Sequence, residues 1–145
     1  MFKRILVPID GSRTSNLGLD EAIRMARRER ATLCLLHVVD ESVITRNLDV
    51  GGAAVERLLE SLRESGQVIL ARAASRLRKQ RVRFKTVMVE NIIRGVADVI
   101  VGQARKWRAD LIVIGTHGRR GLTRMVMGSD AEGVIRTTTV PGLLV

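Results

Sequence analysis

Between two apolar stretches near the end of the chain lies the pattern Gly115-x2-Gly118-x9-Gly128-Ser129. Glycines so placed let backbone N–H groups come close to a bulky anion with no Cβ in the way. Ser129 stands at the start of a helical pattern, and Glu132 three residues on predicts a Ser-x-x-Glu capping box. A helix N-terminus that follows such a loop turns free N–H groups and the positive end of its dipole toward an anion. Arg119, Arg120 and Arg124 add cations with no acid among them, and His117 adds a donor from backbone or ring. This combination is suited to holding phosphate.

A second chemical feature is Asp10, which follows an apolar run and precedes Gly11-Ser12. By itself an aspartate there is turn chemistry. Other familiar signatures are missing. There is no G-x-x-x-x-G-K-[ST], no G-x-G-x-x-G after the first strand and no G-x-S-x-G. Cys34 and His37 are three apart in a predicted strand, face opposite ways and cannot share a metal ion. Cys34 reads as a buried thiol, His37 as structural and Trp107 as packing. With no nucleophile and base placed together, binding is expected rather than turnover.

The elements that position these residues follow from periodicity. Strands are predicted over Arg4–Ile9, Thr32–Val39, Val82–Val89, Leu111–Ile114 and Thr139–Val145. Helical spacing begins at Thr14, at Val55, at Val96 and at Ser129, while Asp40–Gly52 has no period and reads as a loop. Gly66 interrupts the long second helix and predicts a bend or break there. Strands alternating with helices give an α/β fold, an open five-stranded, mainly parallel sheet with right-handed crossovers and helices on both faces. Ligands of such sheets sit outside the C-terminal strand ends, where the strand order reverses. The glycine loop and the Asp10 turn both leave such strand ends.

The spacing Gly-x2-Gly-x9-Gly-Ser after a buried strand resembles the ATP-binding loop of the universal stress protein family. The opening Phe2–Ser12 and the run Leu35–Val39 are similar to its first two strands, and the likeness covers residues 1–145 in order. That resemblance implies a Rossmann-like sheet of the adenine nucleotide alpha hydrolase type, in the order 3-2-1-4-5. It implies a site for ATP or AMP made of Pro8, Ile9, Asp10, Val38, Gly115, His117, Gly118, Gly128, Ser129 and Asp130. Pro8, Ile9 and the Val38 backbone would flank adenine, Asp10 would face the adenosine, and Gly115 would lie near the ribose. The loop N–H groups and the Ser129 hydroxyl would take the phosphates, with Mg²⁺ as an optional companion of ATP. Asp130 stands where the family usually has a small apolar residue, and there it would repel a phosphate. The expected role is a stress-response or regulatory nucleotide-binding protein. A slow ATP hydrolase at the same site and a dimeric interaction module without nucleotide are the alternatives.

Bulk properties set the remaining expectations. The length of 145 residues suits one domain, 1–145. The chain carries 25 basic and 15 acidic residues, a net charge of +10, which favours anionic ligands. Nucleic acid is not expected, because the cations are scattered along the sequence and aromatic residues make up only 2%. One cysteine excludes an intrachain disulfide, and no stretch reads as a signal peptide or reaches the ~20 apolar residues of a membrane span. A cytoplasmic protein is expected. Pro141 marks residues 139–145 as an edge strand, whose apolar side chains would be covered by the same strand of a second copy, giving a homodimer.

Overall fold

The computed structural model describes residues 1–45, 51–91, 94–116 and 127–145. Its elements, in chain order, are β1 (Arg4–Pro8), α1 (Arg13–Glu29), β2 (Thr32–Asp40), α2 (Ser42–Thr45), α3 (Gly52–Lys79), β3 (Arg83–Asn91), α4 (Val96–Trp107), β4 (Leu111–Ile114), α5 (Ser129–Thr137) and β5 (Gly142–Leu144). All four pairings are parallel, and the sheet order is β3-β2-β1-β4-β5. The order reverses between β1 and β4, which are neighbours, as the resemblance implied.

Alternation along the strands divides the core in two. Ile5, Val7, Leu33, Leu35, Leu111 and Val113 face Leu19, Ala22 and Ile23 of α1 and Leu70, Ala73 and Leu77 of α3. Leu6, Cys34, Leu36, Ile112 and Ile114 face Ile100, Val101 and Ala104 of α4 and Ala131 and Val134 of α5. Consecutive residues Leu33–Leu36 are all buried because β2 lies inside the sheet and is covered on both faces. Each of these leucines contributes about 1.5–3 kcal/mol on leaving water. Cys34 belongs to the second cluster and His37 lies against α3, so the two do face opposite ways. Burial pushes the Cys34 thiol up to about 11, against the smaller lowering effects of Lys85 and Gln103.

Three expectations need correction. The stretch read as a loop contains α2, where the Asp40 carboxylate accepts the Ser42 N–H at 3.0 Å. One turn of helix has no room for a period, and α3 begins at Gly52 rather than Val55. Gly66 does not break α3, which runs from Gly52 to Lys79. A Cβ there would sit 2.6 Å from the His37 ring, so the glycine lets the helix close over a histidine that donates from Nδ1 to the Ile9 carbonyl at 2.8 Å. The last strand is Gly142–Leu144, shorter than 139–145, because Thr138 and Val140 bond to each other locally and Pro141 has no N–H to give.

Three helices end alike. Arg30, Arg81 and Arg108 have φ of 54°, 56° and 55°, the left-handed region. The N–H of the next residue returns five positions, Ala31 to Ala26, Val82 to Leu77 and Ala109 to Ala104, and Ala31, Val82 and Ala109 are buried. These are Schellman turns with arginine where glycine is usual. The left-handed conformation costs a side-chain-bearing residue roughly 1 kcal/mol.

Candidate functional site

The cleft opens at the C-terminal ends of β1 and β4, at the reversal. Its walls are Leu36, Val38, Val96, Ile100 and Ile114 on the apolar side, with Pro8 and Ile9 at the end of β1. The polar side is made by Asp10, Ser12, Thr14 and Ser15 from the start of α1, and by Gly128, Ser129 and Asp130 from the start of α5. Eight of the ten residues singled out in the sequence line this one cleft: Pro8, Ile9, Asp10, Val38, Gly115, Gly128, Ser129 and Asp130. The other two, His117 and Gly118, lie outside the described residues, as do Arg119, Arg120 and Arg124.

Asp10 leaves the sheet on the left-handed Gly11, with φ of 80°. Its carboxylate accepts the Ser12 N–H at 2.8 Å, so the ordinary turn role is real, and it holds the group at the cleft wall. Ser12 in turn caps α1, its hydroxyl accepting the Ser15 N–H at 3.1 Å. Gly115 has a reason that the sequence did not disclose. A Cβ on it would lie 2.3 Å from the Thr14 carbonyl oxygen, so the missing side chain admits the first turn of α1 against the end of β4.

The capping box is not formed. Ser129 is the first helical residue of α5, and the cap is Gly128, which has no side chain to bond the first turn. The opening N–H groups of α5 therefore receive no side-chain cap and border the cleft. The Gly128 N–H itself donates to the Thr116 carbonyl at 2.6 Å, and Thr116 bonds the Val145 carbonyl through its N–H at 2.9 Å and its hydroxyl at 3.0 Å. The two stems of the glycine loop and the end of β5 thus meet at one residue.

Asp130, in the first turn of α5, is raised above its ordinary value, first by desolvation and then by the negative field of Asp40 and Asp10. The described part of the cleft is hence acidic along its polar wall, while no group of three or more His, Cys, Asp or Glu among the described residues is arranged to hold a metal. Eight cleft residues were not among those singled out in the sequence, chief among them Ser12, Thr14 and Ser15 on the polar side and Leu36, Val96 and Ile100 on the apolar side. Ser12 could have been found from its spacing to Ser15, and Val96 with Ile100 as a pair one helical turn apart.

The universal stress protein family model matches residues 1–145. The chain belongs to the universal stress protein family. Universal stress protein MJ0531 of Methanocaldococcus jannaschii is 37% identical over 145 residues, covering 100% of this chain and 82% of that protein. The solved structure of MJ0577, from the same organism, superimposes with a TM-score of 0.87 at 28% identity, covering 100% of this chain and 96% of the other. A family member from Burkholderia pseudomallei gives 0.81 at 31% identity, covering 99% and 96%. Two members alike in fold alone, each 23% identical, were solved in complex with cAMP and, from Archaeoglobus fulgidus, with dAMP. Their TM-scores are 0.71 and 0.72, and each alignment covers 99% of this chain and 97% of the other.

Proposed function

We propose that this universal stress protein is a cytoplasmic, adenine-nucleotide-binding regulatory module of one domain, 1–145, active in a stress response. The observation that carries the reading is the cleft at the β1–β4 reversal, where an apolar slot faces the uncapped N-terminus of α5. The slot between Val38, Leu36 and Ile100 suits a flat base, and Asp10 is a carboxylate acceptor for ribose hydroxyls. The α5 N-terminus with Ser129 suits phosphates. The cAMP and dAMP complexes of fold relatives support the class of ligand. ATP or AMP is the assigned ligand. Mg²⁺ would enter with ATP, held chiefly by the phosphates, and would offset the charge of Asp10 and Asp130.

Mass spectrometry of ligand released from the purified protein, with calorimetry of added ATP, AMP and adenosine, tests the assignment. Affinity for ATP or AMP near a micromolar, about −8 kcal/mol, is expected. Because an ionised Asp130 opposes phosphate, Asp130→Asn should strengthen ATP binding more than adenosine binding. Equal effects on both, or no heat with any of the three, would refute the site.

We further propose a homodimer paired through β5. Of the two sheet edges, β3 is guarded by Arg83, Lys85 and Glu90, whereas β5 carries no charge. Ile135 and Leu144, 38% and 37% exposed, stand beside this bare edge. Sedimentation equilibrium at tens of micromolar (roughly) should give twice the chain mass, and a natively folded Leu144→Lys should give the single mass. A monomeric parent, or a dimer that survives the substitution, would rule out β5.

A further inference from the structure

In a parallel sheet with antiparallel helices, every strand start and every helix end lies at the same pole, here the one opposite the cleft. In the part of that pole from β3 to β4, residues 3–4, 27–30, 78–85 and 105–110 bring together thirteen of the 25 basic residues and only two of the 15 acidic ones. All thirteen cations are exposed. The rest of the chain is left with twelve basic against thirteen acidic residues, so the net charge of +10 is a property of this pole. The two acids are already engaged: Asp110 accepts the N–H groups of Lys3 and Arg4, and Glu29 pairs with Arg28 at 3.8 Å.

Cations in a last helical turn offset the helix dipole, and that accounts for part of the cluster. It does not account for Lys3, Arg83 and Lys85 at strand starts, since strands have little dipole. Nor does it account for the three left-handed arginines, where glycine would relieve the backbone. Each of these three turns carries a cation in a backbone conformation that glycine would adopt without strain. The chain's two phenylalanines and one tryptophan are also at this end. Arg78 lies 5.6 Å from the Phe84 ring centre and Lys85 5.1 Å from that of Trp107, so ring faces steady two of the cations.

We propose that this pole binds the phosphate backbone of double-stranded nucleic acid, without sequence preference. Nine of the thirteen cations are arginines, whose forked guanidinium matches a phosphodiester better than a lysine does. The row crosses three inter-strand gaps from β3 to β4, roughly 14 Å, along which a duplex presents about eight charges. A lipid surface fits less well: of the described large apolar residues that are exposed, Leu17, Leu58, Val68 and Leu144 lie outside these turns, and Met1 beside Lys3 with Ile135 near the end of α5 are too few to make an apolar face. Among the described residues these turns only join α1, α3 and α4 to the strands that follow, with no further helix or ribbon to read base edges, so the contact is to backbone. Cations that look scattered in the sequence are assembled by the crossovers, and the scarcity of aromatic residues bears on stacking with single strands rather than on contact with a duplex backbone.

The test is fluorescence anisotropy of two unrelated labelled duplexes of about 20 base pairs with the full chain, from about 50 to 200 mM salt. Equal affinities are expected for the two, with a log–log salt slope of roughly −4 or steeper. Combining Arg30→Gly, Arg81→Gly and Arg108→Gly should weaken binding at least tenfold at low salt and flatten the slope by about 2–3. The melting temperature should be no lower than the parent's and ATP calorimetry unchanged. Lys79→Glu with Lys106→Glu, on the ends of two helices, should weaken binding in the same sense without touching a turn. No binding by the parent at low salt overturns the proposal, as does parental affinity in both folded variants. So does binding confined to phosphatidylserine vesicles.

Discussion

At the scale of single residues, the glycines of this chain separate by what a methyl group would meet. Gly115→Ala would drive a Cβ to 2.3 Å from the Thr14 carbonyl oxygen, a backbone atom that cannot turn aside. The expected loss is about 2–3 kcal/mol, a fall in melting temperature of roughly 5–10 °C. Gly102, exposed within α4, has nothing within 4 Å of the same position. Gly102→Ala should raise stability by about 0.5–1 kcal/mol. Thermal denaturation of the two variants checks the pair, and equal melting temperatures would refute the clasp between α1 and β4. In the sequence both are simply glycines. The loop spacing correctly marked Gly115 as special but suggested an anion as the reason, when the contact that forbids a side chain is the protein's own helix.

At the scale of elements, α1 and α5 both begin at the cleft with a serine, and the two serines do different things. Ser12 is the cap of α1 and accepts the Ser15 N–H, while Ser129 lies inside α5 behind an uncapped Gly128. Ser12→Ala is therefore expected to cost about 1 kcal/mol and Ser129→Ala less than about 0.5 kcal/mol, measured by urea denaturation. Ser129→Ala should still weaken ATP binding if its hydroxyl serves phosphate. Equal costs would mean that Ser129 caps after all. Elements with a strong apolar signal are readable from sequence: α4 is placed to the residue because its burial repeats with the helical period, and β4 likewise because all four of its residues are apolar and buried. The failures are short or conditional. α2 is a single turn, β5 is trimmed by the local Thr138–Val140 bonds, and the cap of α5 shifts by one residue, a shift that periodicity does not register.

At the scale of the whole molecule, the strand order could be inferred only by resemblance, because nothing local in β1 or β4 says that they are neighbours. The charge polarity was invisible for the same reason: it is created by crossovers that return the chain to one end. The opposite end has its own long-range connection. Thr116 grips the Val145 carbonyl twice and accepts from Gly128, so the amides that hold β5 to β4 and the helix start that borders the cleft share one anchor. Local opening of that edge should therefore be taxed whenever the cleft is filled. With ATP at about a hundred times its Kd, amide exchange at Thr116 and Val145 is expected to slow by up to about a hundredfold if opening there requires ligand release. Exchange at those two amides that is indifferent to the nucleotide would mean that the edge breathes independently. If it slows, reciprocity follows: whatever immobilises β5 must tighten the hold on nucleotide by the same factor. A strand of three residues then acts as a remote dial on the affinity of a pocket whose walls it does not form.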